Sequence, residues 1–289
     1  MKHFGFVTGL IALVLALVPL QALAEELRVM SYNIRRINRN PLEEHPWVGR
    51  KDRVVQTIAA FDPDLLGTQE AYPSQVRDLE KGLEGYASFG RARSADGKFD
   101  ETVAILYKTE RFEKLAAGHF WLSETPEQPG SISWDSKLPR MVTWLRLRDR
   151  RRDEGGELVV MNTHWDHIGQ QARLESARLM REKMREMVED LPLIVTGDFN
   201  ATEAQPPYKA LLADESDRPL RDTYRELYPE RQEDEATFGG FDGRTHGWRI
   251  DWILVTDHFA VAEAAIDRTS FDGVDPSDHY PVTAVLEWK

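Results

Sequence analysis

Leu193-Ile194-Val195-Thr196-Gly197-Asp198-Phe199-Asn200 is an apolar, β-branched run that stops on a carboxylate and an amide. Such a run predicts a buried strand, with Asp198 where the chain leaves the sheet. The same construction recurs. Val29-Met30-Ser31-Tyr32 ends on Asn33, Leu65-Leu66-Gly67-Thr68-Gln69 on Glu70, and Val159-Val160-Met161-Asn162-Thr163 on His164. Asp251 stands inside Arg249-Ile250-Asp251-Trp252-Ile253-Leu254, and Asp278-His279 immediately precedes a closing strand. One polar strand end is merely where a chain meets water. Repeated, these ends form a set of carboxylates, amides and imidazoles that one sheet rim brings together.

Outward from these runs, residues 27–34, 65–69, 102–107, 141–147, 158–163, 193–196, 250–255 and 282–287 read as strands. A helix is predicted over 50–60, closed by Phe61-Asp62-Pro63 because proline restricts the residue before it. A second helix is predicted over 170–188, with Ser176, Leu179, Met180, Met184, Met187 and Val188 on one face, a stripe read as core packing. With no linker or repeat, residues 25–289 read as a single α/β domain with substantial sheet.

The chain has 289 residues, net charge −12 and no cysteine. The last point excludes disulfides, thiolate nucleophiles and Cys-ligated metal sites. The acidic balance opposes a large polyanion-binding surface. The run Arg146, Arg148, Arg150, Arg151, Arg152 is interrupted by Asp149 and followed by Gly155-Gly156, which reads as a solvated hairpin turn. Residues 1–24 read as a cleaved signal peptide: Lys2, an apolar stretch over 10–20, then Ala22-Leu23-Ala24 before Glu25. The expected location is periplasmic or secreted, with no lipid or stable membrane anchor.

Oxygen-rich strand ends suit Mg²⁺ or Mn²⁺ acting on a phosphate ester. Zinc is disfavoured, since no His-Glu-x-x-His helix is present. Asp251 is expensive to bury alone, and Arg249 points to the opposite strand face, so a histidine is its natural partner.

Asn33, Thr68-Gln69-Glu70, Asn162-Thr163-His164, Gly197-Asp198-Phe199-Asn200-Ala201, Arg249-Ile250-Asp251-Trp252 and Ser277-Asp278-His279-Tyr280-Pro281-Val282 resemble, in order, the motifs of the endonuclease/exonuclease/phosphatase superfamily. The resemblance implies a four-layer αββα sandwich, two mainly antiparallel β-sheets face to face with helices outside. It implies metal-dependent phosphate-ester hydrolysis at one rim. Glu70 resembles the principal metal ligand, with Asn33 and Asp278 beside it. Asp198 resembles the carboxylate that activates water, and Asn200 a donor to the phosphate. His279 with Asp251, and His164 with Glu101, resemble two His–acid pairs whose imidazoles stabilise the phosphate. Arg140 resembles a phosphate-contacting arginine.

Trp165 either stacks on substrate or packs. The segment over 118–134 resembles a family-specific substrate loop, and Asn162-Thr163-His164-Trp165-Asp166-His167 resembles a secreted bacterial subgroup. The expected substrate is a small or lipid-linked phosphate ester, with no protein partner. An extracellular nuclease and a catalytically silent binding module are the alternatives.

Overall fold

The computed structural model describes residues 26–38, 40, 42–98, 100–152, 156–213 and 219–289. The signal-peptide reading and Gly155 of the hairpin lie outside them. In chain order the elements are β1 (Glu26–Asn33), α1 (Trp47–Phe61), β2 (Leu65–Gln69), α2 (Pro73–Gly82), β3 (Tyr86–Phe89), β4 (Ile105–Lys108), β5 (Phe112–Trp121) and β6 (Met141–Asp149). There follow β7 (Glu157–His164), α3 (Gln170–Met187), β8 (Leu193–Asp198), α4 (Pro206–Leu212), β9 (Arg221–Asp222), α5 (Thr223–Leu227), β10 (Asp251–Val255), β11 (Phe259–Ile266) and β12 (Val282–Trp288).

Two six-stranded sheets form, in the orders β11-β12-β1-β2-β4-β3 and β5-β6-β7-β8-β10-β9. Pairing is antiparallel except between β1 and β2 and between β7 and β8, the central pair of each sheet. Each parallel pair needs a crossover, and α1 and α3 supply it. Leu27, Val29, Leu65, Leu145, Val160, Ile194, Ile253 and Leu286 fill the space between the sheets. Val54, Ile58 and Leu79 pack α1 and α2 on the outer face of the first sheet. Met180, Met184 and Leu211 pack α3 and α4 on the second. The expected four-layer αββα sandwich is the architecture found, and the methionine stripe of α3 is core.

The central strands carry a buried polar seam where the two sheets meet. Asn162 Nδ2 donates to the carbonyls of Thr68 and Ala104 at 2.8 and 3.0 Å, and its Oδ1 accepts from Gln69 at 2.8 Å and Thr196 at 3.0 Å. Gly67 permits this approach: a Cβ there would lie 2.1 Å from Thr196 Oγ1 and 2.7 Å from Asn162 Oδ1.

Three readings change. Residues 118–121 belong to β5, with Gly118 opposite Trp144, so the loop begins only after Trp121. Arg146 and Arg148 sit on β6 rather than in the turn and, half exposed, pair with Glu157 on the facing strand. Trp165 is fully buried, edge-on to Phe199 at 4.8 Å, with Nε1 donating to Met180 Sδ; it packs and offers no face to substrate.

Candidate active site

The C-terminal ends of both parallel pairs open on one rim, where Asn33 ends β1, Glu70 follows β2, His164 ends β7 and Asp198 ends β8. In an open sheet this is where ligands bind. A cleft of about 760 Å³ lies there, lined by Glu70, Asp198, Asn200, Asp278, His279 and His164 among others.

Asn33 joins the two sheets. Its buried Nδ2 lies 2.9 Å from Asp198 Oδ2, 3.3 Å from Glu70 Oε1 and 3.4 Å from His279 Nε2. Asp198 also accepts the Asn200 backbone N–H at 3.0 Å, and its Oδ2 faces His164 Nε2 at 3.4 Å and His279 Nε2 at 3.7 Å. His279 Nδ1 bonds Asp251 Oδ2 at 2.9 Å, the pairing expected for Asp251. Arg249 points elsewhere, to Asp222 and Glu203, as strand alternation requires.

The loops that carry these groups are tied from behind. Buried Arg50 of α1 donates to the carbonyls of Ile34, Arg35, His45 and Pro276. Ser277 Oγ donates to the Asn33 carbonyl at 2.7 Å. Arg35, Glu70 and Asn200 have positive φ of 57°, 59° and 46°. For non-glycine residues such backbone costs about 1–3 kcal/mol each and gathers at functional sites.

Charge is unevenly distributed. Burial alone lowers the pKa of His279, but Asp251 and Asp198 raise it to about 10, so the ring is cationic at neutral pH. Burial, then Asp251, pushes Asp198 up to about 7. Burial also raises Asp278, helped by Glu70, while Arg35 ion-pairs with Asp278 at 3.1 Å. His164 differs from expectation: burial, followed by Arg140 and Arg93, drives its pKa well below the ordinary value, so the ring is neutral. Its expected partner is diverted, because Glu101 pairs with Arg93 at 2.8 Å and lies 3.8 Å from Arg36. His164 instead faces Asp198.

Arg140 lines the cleft as expected; it is buried, with Nε 3.5 Å from Asp166 and Nη1 without a partner. Asn200 lines it too, although Nδ2 already donates one N–H to the Trp165 carbonyl. Arg35, Arg36, Arg93 and His167 also line the cleft, with buried Asp166 behind Arg140, and the sequence reading gave none of them a role. The signal was present for two groups: Arg35-Arg36 follow Asn33 closely, and Asp166-His167 complete the motif after His164.

The donor set fits a hard divalent cation. Glu70 and Asp278 offer carboxylate oxygen, and half-buried Glu70 opens on the cleft, while Asn33 turns its Nδ2 to Glu70 and its Oδ1 to the Arg35 N–H. Asp198, Asp251 and His279 also place ligand atoms within 4.8 Å of one another. There, however, the imidazolium is hydrogen-bonded to Asp251 and would repel a metal, so the Glu70 side is the better seat.

The chain matches the endonuclease/exonuclease/phosphatase family over residues 30–279. It is 35% identical to a solved protein of that family from Bacteroides thetaiotaomicron, covering 91% of this chain and 98% of that one, with a TM-score of 0.81. It is equally 35% identical to a mannosyl-6-phosphatase of Bacteroides thetaiotaomicron VPI-5482, over 91% and 100% of the two chains, with a TM-score of 0.79. An uncharacterised protein of Acanthamoeba polyphaga mimivirus is 26% identical over 167 residues, 55% of this chain and 61% of that one. The chain spans less than two thirds of the length of the curated relatives it matches first. With two mixed sheets, helices outside and the motif residues gathered at one rim, the chain belongs to the endonuclease/exonuclease/phosphatase family.

Proposed function

We propose that this protein is a Mg²⁺- or Mn²⁺-dependent hydrolase of small, polar phosphate esters, with phosphorylated sugars the leading class. The observation that carries the reading is the convergence of the Asp251-held His279 and of Asn33 on Asp198 at the rim, with Glu70 beside them. Glu70, with Asp278, would hold the ion, which supplies charge compensation at the phosphate oxygens.

The protein's own groups divide the remaining work. Asp198 has a pKa near neutrality and is held at both oxygens, so it orients and deprotonates the attacking water. Cationic His279, fixed by Asp251, stabilises charge developing on a non-bridging oxygen. Neutral His164 faces the same Oδ2 of Asp198 and adds no charge. Arg140 directs its unpartnered Nη1–H at the phosphate. Arg35, Arg36 and Arg93 add further guanidinium groups to the cleft wall, whereas Asp100 and Glu101 suit hydroxyls better than a polynucleotide backbone.

The sugar class draws on the likeness to the mannosyl-6-phosphatase. The reading of export rests on Lys2, the apolar stretch over 10–20 and Ala22-Leu23-Ala24. The test is a panel of mannose 6-phosphate, other sugar phosphates, inositol phosphates, phospholipid head groups and plasmid DNA, each with Mg²⁺ and with EDTA. Metal-dependent phosphate release from a sugar phosphate is expected. Degradation of DNA alone would favour the nuclease, and turnover of nothing the silent module.

A further inference from the structure

His167, two residues past buried Trp165, has no part in the chemistry above. Asp166 fixes the segment. Its Oδ1 accepts from the N–H groups of Ile168 and Gly169 at 2.9 and 2.8 Å, and its Oδ2 from those of Lys137 and Leu138 at 3.1 and 3.3 Å. Arg140 Nε approaches the same Oδ2 at 3.5 Å. One carboxylate thus docks the loop before β6 onto the turn after β7. Gly169 lets them close, since a Cβ there would lie 2.6 Å from the Asp135 carbonyl.

The docking sets His167 against Arg140, with Nη2 3.0 Å from the ring Nδ1. A guanidinium has only donors, so Nδ1 must accept and the ring proton sits on Nε2. His167 is exposed, and it lines the same cleft as Glu70, Asp198 and Arg140. Arg35 is engaged with Asp278, and Arg93 with Asp100 and Glu101. Arg140 Nη1 is buried without an acceptor. The Arg140–His167 wall therefore presents the exposed His167 Nε2–H, with a buried guanidinium N–H that has no acceptor behind it.

We propose that His167 contacts the substrate, its Nε2–H and Arg140 Nη1 together taking the non-bridging oxygen that a phosphomonoester leaves free and a phosphodiester carries esterified. His167 is then the residue that selects monoesters. This inference rests on the hydrolase reading above and narrows it.

The test compares wild type, His167→Ala and His167→Gln on p-nitrophenyl phosphate and bis(p-nitrophenyl) phosphate with Mg²⁺. Inorganic phosphate binding is measured alongside by calorimetry. His167→Ala is expected to reduce the monoester-to-diester ratio of kcat/KM by about 10-fold or more, the weight of one hydrogen bond to a charged group. Phosphate affinity should fall in parallel, and His167→Gln, which keeps an N–H donor, should recover part of both. An unchanged ratio with unchanged phosphate affinity overturns the proposal, as does an equal loss on both esters. Should wild type hydrolyse neither ester, the hydrolase reading fails by itself, and the phosphate titration still decides for or against His167.

Discussion

Asp251 reaches across the sandwich to His279: Oδ2 accepts from Nδ1 at 2.9 Å, although Asp251 begins β10 of one sheet and His279 precedes β12 of the other. The bond keeps the imidazole charged and aims Nε2 at Asn33 and Asp198. Asp251→Asn preserves shape and removes charge, so kcat should fall about 10²-fold, as when a transition-state charge stabiliser is lost. His279 is raised to about 10, so the pair's stabilisation is complete below the unfolded histidine pKa and is lost as pH rises through 10. The alkaline limb of the pH–rate profile should therefore move to lower pH in the variant. Wild-type kcat with an unmoved limb would refute this role.

Metal dependence separates a second group. EDTA should abolish activity and Mg²⁺ or Mn²⁺ restore it, whereas Glu70→Gln should raise the Mg²⁺ concentration for half-maximal rate at least tenfold. Excess Mg²⁺ should partly rescue that variant but not Asp251→Asn. A Mg²⁺ titration of both checks it, and rescue of apoenzyme by Zn²⁺ alone would contradict the donor set.

Arg93 and Glu101 form a nearly buried ion pair. Arg93→Met strands the carboxylate and should lower stability by about 3 kcal/mol, as when one partner of a buried pair is removed. Arg93→Met/Glu101→Gln should regain most of that loss in urea unfolding. A double variant as unstable as the single one would mean that the pair does not account for the effect.

Gly67→Ala should destabilise by about 1–3 kcal/mol through overpacking, because the new methyl meets Thr196 and Asn162 at the polar seam. Differential scanning calorimetry reads it as a lowered Tm. An unchanged Tm would show that the sheets part freely there.

His119 on β5 stacks on Phe89 at 4.8 Å and contacts Thr143 through Nδ1. Burial, then Arg91, lowers its pKa to about 4, so the unfolded chain binds the extra proton between 6.5 and 4. Its contribution is complete above 6.5 and is lost as pH falls toward 4. His119→Gln should flatten the urea midpoint against pH in that window. An unaltered slope would show that other groups set it.

The central strands were legible because each carries several apolar residues closed by a polar end; residues 65–69 match β2 at both ends. The edge strands were not. β5 reads Phe-Glu-Lys-Leu-Ala-Ala-Gly-His-Phe-Trp, half-exposed, with a register shift between Lys114 and Ala116, and β11 is likewise interrupted between Val261 and Glu263. An edge strand has one neighbour and one wet face, so its pattern blurs. At the site, the expense of a lone buried charge called for a histidine beside Asp251, and the family resemblance pointed to His279. Glu101 was misassigned because sequence shows an acid before a strand but not Arg93 folded over it. Trp165 was undecidable until Phe199 and Trp252 closed around it.

β1 is paired on one side with β2 and on the other with β12, so the first strand waits for the last. As the polypeptide leaves the ribosome, Glu70, His164, Asp198 and Asp251 emerge before the segment that bears Asp278 and His279. A growing chain therefore carries Glu70 and Asp198 without the imidazole that stands beside them in the finished fold. The rim is complete only when the last strand has docked on the first.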